Sequence, residues 1–180
     1  MKAFLYLLLS VALVAAEPKK GGLYSGGTVT CQQFQEHFHK VTGQYMTPAP
    51  ESTPRALVRY EALDDLRKFT WRNLSKAYGI RTSELEQRVT WDTRFDCVAL
   101  ALAANLELRA RLMSEYWMAS TEARRPACVI VFYRPDHRPD GLNHAILFIV
   151  TDQGPVWWDP VSGLRMLTAE EVKSVYPVTP

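Results

Sequence analysis

Apolar residues at Val29, Phe34, Phe38 and Val41 share one face of a 3.6-residue repeat and predict a short helix over 29–41. Arg55 to Tyr78 carries Leu57, Tyr60, Leu63, Leu66, Phe69 and Leu74 at the same spacing and stops at Gly79, so a long helix is predicted there, with Pro54 suited to its first turn. Two helices broken near Thr70 fit that pattern as well. Ser83 followed by Glu86 has the form of a capping box and predicts a third, shorter helix. From Cys97 to about Ala119 the first three turns are apolar nearly all round, which marks a helix covered on most sides. The period then changes. Ala127 to Tyr133, His144 to Thr151 and Val156 to Asp159 are β-branched and aromatic runs and predict three strands. Between them lie a loop over Arg134 to Gly141 and a turn over Asp152 to Pro155. Val161 to Leu164 is a further turn, and Leu167 to Val172 predicts a C-terminal helix with Thr168 at the N-cap and Glu171 three residues on. Helices first and an antiparallel meander afterwards is an α+β pattern, with the Cys97 helix packed on a small antiparallel sheet.

The chain start has a different character. Lys2 precedes an apolar run over Ala3 to Val14, and Val14-Ala15-Ala16 offers small residues for cleavage, so residues 1–16 read as a secretory signal peptide. An uncleaved anchor is the rival reading, but a dozen residues fall short of the roughly 20 a membrane span needs. No second run of that length follows, so no membrane span is expected after signal removal, and the expected location is secreted or periplasmic. Residues 17–28, rich in Gly and Lys, read as a flexible lead-in, and Pro48, Pro50 and Pro54 mark an extended linker. Residues 29–180 then form a single domain, helical over 29–89 and carrying the candidate chemistry over 90–180.

Composition narrows the function classes. At 47% hydrophobic and 22% charged, the 180 residues have the balance of a globular protein with a real core. A net charge of +2, lowered by one if Lys2 leaves with the leader, gives no electrostatic case for nucleic acid. Three cysteines in an exported chain leave one unpaired: Cys31 and Cys128 remain to pair if Cys97 is a free nucleophile, and three independent thiols are equally consistent. Cys31, His37 and His39 have metal-ligating side chains, but His-x-His spacing splays the rings about 200° apart on a helix. They read as solvated helix-face residues, and no metal site is expected.

Cys97 stands where the polar turn 90–96 enters the apolar helix. A thiol there meets unpaired N–H groups and the positive end of the helix dipole, which favour the nucleophilic thiolate. His144 and Asp159 follow in chain order. A two- or four-residue turn at Asp152 to Pro155 gives cross-strand partners whose numbers sum to 305 or 307, and the sum for His144 and Asp159 is also odd. The two side chains therefore share a sheet face as diagonal neighbours, roughly 7–8 Å apart at Cα. Ile146 and Phe148 share that face and are expected to pack on the Cys97 helix. Cys97 then attacks a carbonyl, His144 moves the proton, and Asp159 orients the imidazole. The Cys97 N–H is a ready oxyanion donor, with Gln87 or Trp91 as candidates for a second. Trp157 and Trp158, being adjacent, face opposite sides of the strand. Each residue also has an ordinary structural reading: a buried helix cysteine, a strand-edge histidine, and an aspartate before Pro160 that serves its turn.

Phe95-Asp96-Cys97 with Ala101-Leu102, Asn143-His144-Ala145-Ile146-Leu147 and Trp157-Trp158-Asp159 together resemble the corresponding motifs of the bacterial transglutaminase-like cysteine peptidases, within the papain-like superfamily. The resemblance spans Thr90 to Pro160. It implies a papain/transglutaminase-like core, a Cys97-His144-Asp159 triad, thiol-dependent hydrolysis of a peptide or isopeptide bond, and no cofactor. The partner it implies is a peptide or protein substrate, with cell-wall stem peptides among the candidates. An amide cross-linking transferase and a catalytically silent binding module of the same fold are the alternatives.

Overall fold

The computed structural model describes residues 22–46, 53–79, 81, 83–84, 97–116, 125–136 and 143–178. Its centre is the strand His144–Thr151 (β5), whose residues after His144 are all buried. A run of Ala, Ile, Leu, Phe and Val with no charge suits a strand covered on both faces. On one side β5 pairs antiparallel with Cys128–Tyr133 (β4), from Cys128↔Ile149 to Tyr133↔His144. On the other it pairs antiparallel with Gly154–Asp159 (β6), with Leu147 opposite Trp158. That register sums to 305, the two-residue-turn value. The far end of β5 also meets Arg55–Val58 (β2) in parallel, through Val58↔Thr151. β2 in turn pairs antiparallel with Tyr24–Val29 (β1) and parallel with the short β3, Arg125–Pro126. Gly163–Arg165 (β7) extends β6, and Tyr176–Pro177 (β8) borders β4. The product is one mixed, branched sheet of eight strands.

Among the described residues, four helices of five residues or more flank it. Cys31–Thr42 (α1) begins at Thr30, whose side chain accepts the Gln33 N–H while the Gln33 side chain accepts the Thr30 N–H. Thr30→Ala removes half of that reciprocal cap and is expected to lower stability by about 1 kcal/mol in urea unfolding. Leu63–Tyr78 (α2) follows a single 3-10 turn at Tyr60–Ala62 and stops at Gly79, where φ of +66° demands a residue without Cβ strain. Cys97–Tyr116 (α3) is the longest helix among the described residues. Ala169–Lys173 (α4) carries the Thr168/Glu171 capping box that the sequence shows.

The two faces of the sheet bury separate cores. Ala145, Leu147, Ile149 and Trp158 pack with Ala101, Ala104 and Leu108 of α3 and with Leu63 and Leu66 of α2. Ile146, Phe148 and Trp157 pack with Phe34 and Phe38 of α1. Phe148 meets both α1 rings edge-on, at centroid distances of 5.8 and 5.2 Å. The expected seat of Ile146 and Phe148 against the Cys97 helix is thereby corrected. The odd-numbered residues of β5 face α3, and α1 covers the even-numbered ones.

The expected papain/transglutaminase-like core, a small antiparallel sheet preceded by helices, is also corrected. The sheet is larger and mixed, and the N-terminal part supplies strands to it. Arg55–Val58 is strand because Ala56 and Val58 alternate into the core, a period of two that outweighs the helical spacing of Leu57 and Tyr60. Tyr24–Val29, five residues of the stretch read as a lead-in and the first residue of the predicted helix over 29–41, is strand as well. Glu115 of α3 accepts the Leu23 and Tyr24 N–H groups, and the Tyr24 hydroxyl donates to the Leu108 carbonyl. The signal-peptide reading, and most of the proline linker and of the third predicted helix, lie outside the described residues.

Candidate functional site

Cys97 is the first residue of α3, and its side chain is half-buried, not sealed from water. The N–H groups of a helix's first turn have no partner within the helix, so they converge there with the positive end of its dipole. His144 opens β5 and so sits at the end of the sheet. Asp159 ends β6. It is held 3% exposed by a turn that begins at Pro160 and closes at Gly163, whose φ of +83° lets the chain double back so that Gly163 pairs with Asp159.

The structure brings these three side chains together. His144 Nε2 lies 2.8 Å from Asp159 Oδ2, and the ring also hydrogen-bonds the Cys97 thiol. With Nε2 committed to the carboxylate, Nδ1 is the ring atom left for sulfur. The other Asp159 oxygen accepts the Val161 N–H at 2.7 Å and, more weakly, the Ser162 N–H at 3.5 Å.

Charge follows geometry. Burial alone would depress the His144 pKa. The hydrogen bonds to Asp159 and Cys97, and the negative charge of both, outweigh it and push the imidazole up to about 9. Burial likewise works against ionised Asp159. Its bond to His144 and the backbone donors prevail, holding the carboxyl below its ordinary range. The ring is therefore an imidazolium at neutral pH, donating from both nitrogens. Cys128 contrasts with Cys97: it is buried, and that burial lifts its thiol up to about 12 despite nearby Arg55 and Arg109, which disfavours the thiolate. None of the three cysteines is in a disulfide, and Cys31 donates to the Thr53 carbonyl.

Several residues that the sequence reading passed over complete the site. Tyr133 stands opposite His144 in the β4–β5 register and meets its ring edge-on at 5.7 Å. Burial raises the Tyr133 pKa, so its hydroxyl stays protonated. Arg165 on β7 lies over the Tyr133 ring at 5.3 Å and reaches Asp159 at 4.0 Å and Glu171 at 3.7 Å. The Tyr133 position was not open to detection, because it depends on the β4–β5 register, which the β5–β6 turn does not fix.

Trp71 of α2 anchors the loop behind Asp159. It is 3% exposed and donates its indole N–H to the Pro160 carbonyl at 2.9 Å. Trp71→Phe leaves that carbonyl unpaired in a buried place and is expected to cost about 1–3 kcal/mol in urea unfolding. A loosened Asp159 should accompany it, visible as a lower His144 pKa by NMR titration.

Gln87 and Trp91, the candidates for a second oxyanion donor, lie outside the described residues. Cys31, His37 and His39 do not converge: His39 stacks on Tyr45 at 3.9 Å, and among the described residues no three His, Cys, Asp or Glu side chains are grouped to hold a metal ion. Trp157 and Trp158 are both packing residues, one in each core. No helix of the described residues is long and apolar enough to cross a membrane.

No protein-family model matches the chain, and no curated protein matches it significantly. Among solved structures, a Polyporus squamosus lectin bound to a human-type influenza-binding epitope is similar in fold, with a TM-score of 0.56 at 12% identity. The match covers 83% of this chain but 48% of the lectin chain, so it spans under half of that protein. The fold likeness is therefore to a lectin and not to the papain/transglutaminase-like chain that the sequence led us to expect.

Proposed function

We propose that Cys97, His144 and Asp159 form a thiol-dependent site that cleaves a peptide or isopeptide bond in an exported protein. The observation that carries this reading is the single line of contacts from Asp159 through His144 to a partly exposed sulfur at the start of α3. The motif likeness to transglutaminase-like cysteine peptidases supports the same chemistry, independently of the fold.

In this reading the Cys97 thiolate attacks the carbonyl carbon. The oxyanion is met by the Cys97 N–H at the helix start. As the C–N bond breaks, imidazolium His144 gives its proton to the departing amine. Water then attacks the thioester. Neutral His144 takes the water proton as the acid is released, and the thiolate and imidazolium are restored. Asp159 holds the ring in place and stabilises its charge through both halves. An amine in place of water turns the same cycle into amide cross-linking. Cell-wall stem peptides are tested by digesting purified sacculi, and cross-linking by incorporation of a labelled amine.

A second reading has one observation in its favour. The similar solved fold is a lectin, and a domain of this fold with a silent constellation is a binding module, for a carbohydrate among other ligands. The decisive comparison mixes the protein with a peptide library and, separately, with the lectin's epitope. Peptide cleavage that disappears on Cys97 alkylation supports hydrolysis. Epitope binding that survives alkylation, with no cleavage, supports the binding module.

A further inference from the structure

One to three turns along α3 from Cys97, the helix presents apolar side chains to solvent: Leu102 is 48% and Leu106 63% exposed. They form one wall of a cavity of about 290 Å³. Phe34 of α1, Val129 and Ile130 of β4 and Val178 beyond β8 make the other apolar walls. No residue of the Cys97 site lines it.

Its charge is one-sided. Arg55, Arg109 and Arg125 all line the cavity, and among the described residues no carboxylate does. Arg55 is under-used as a donor. Its Nη1 makes one long bond of 3.4 Å to the Cys128 carbonyl, and its buried Nε has no hydrogen-bond partner. The guanidinium lies 4.6 Å over the Phe34 ring, where the apolar and cationic parts of the wall meet. A partly buried guanidinium whose buried Nε lacks a partner is matched by a carboxylate, and exposed leucines beside it by a hydrocarbon chain. The volume lies at the small end of ligand sites, which suits one chain and not two.

We propose that this cavity binds a single-chain fatty acid, with its carboxylate toward the arginines and its alkyl chain along Leu102 and Leu106. This does not depend on Cys97 being catalytic. Cys31 lines the cavity and is partly exposed, so it serves as a built-in reporter.

The test uses the full chain and dodecanoate below its micelle concentration. Calorimetry should show saturable binding, and peptide-mapped iodoacetamide labelling should show Cys31 protected several-fold. Dodecanol, which keeps the chain, and butyrate, which keeps the charge, should each bind about tenfold or more weakly. Leu106→Asp puts a negative charge at an exposed position, and Arg109→Gln removes a positive one. Each, checked for native circular dichroism, should weaken dodecanoate at least several-fold. Absence of dodecanoate binding, equal affinity for dodecanol, or unchanged affinity in both variants overturns the proposal. So does binding confined to anionic phospholipid vesicles.

Discussion

Cys97→Ala should reduce cleavage of a mixed peptide library, followed by mass spectrometry, by about a thousandfold or more. Removing a nucleophile that forms a covalent intermediate abolishes the route itself and leaves only the positioning and oxyanion contributions. The fold should tolerate the change. Cys97 is half-buried at a helix start, where it packs only against the edge of the α3-side core, and Ala is a good helix former. Cys31→Ala, by contrast, should leave turnover unchanged, because its thiol bonds Thr53 at a different place in the fold. Activity surviving in Cys97→Ala at the wild-type level would remove the hydrolase reading.

Asp159→Asn is expected to lower kcat/KM about a hundredfold or more, and the pH profile should identify the reason. In the wild type His144 stays protonated to about pH 9, so an alkaline limb is expected near there. Without the carboxylate the limb should move toward acid by a unit or more. Stability should respond in the same pH window. The folded His144 pKa is raised above its ordinary 6.5, so its contribution is complete below about 6.5 and disappears as pH rises through about 9. Asp159 is depressed below its ordinary 3.8, so its contribution is present above that value and disappears as the solution is acidified. Urea unfolding should therefore show Asp159→Asn costing about 1–3 kcal/mol near pH 5–6 and less above pH 10, where only the Val161 and Ser162 N–H bonds remain to be lost. A pH-independent deficit would assign Asp159 to its turn alone, through the Val161 and Ser162 N–H groups.

The part of this site that was legible in the sequence is the part set by local rules. A two-residue turn fixes register, register fixes parity, and parity places His144 beside Asp159 without any knowledge of the helices. The capping boxes belong to the same class: Thr168 and Glu171 are three residues apart and need no tertiary partner. What was not legible is whatever depends on which element covers which face. Ile146 and Phe148 were expected under α3, but Phe34 and Phe38 of α1 take that face, and nothing within β5 distinguishes its two apolar sides. β1 was hidden because Gly26 and Gly27 give Tyr24–Val29 the composition of a loop. Its strand character comes from pairing with β2 and from Glu115 of α3, 91 and 92 residues away. β2 was hidden by the helical spacing that follows it, although Ala56 and Val58 already alternate. Those two strands enlarge the expected small antiparallel sheet into a mixed one. Trp71 and Arg165 escaped for a similar reason: their roles rest on loop and sheet contacts made across the fold.

The central claim is that His144, steadied by Asp159, keeps the Cys97 sulfur in its reactive ionised form. The most direct measurement is the peptide-mapped rate of iodoacetamide alkylation at about pH 6, where an ordinary thiol is almost wholly protonated. The account predicts that Cys97 reacts at least tenfold faster than Cys31 in the same sample, and that His144→Ala removes the difference. Equal rates at the two cysteines, or a Cys97 rate indifferent to His144, would contradict it.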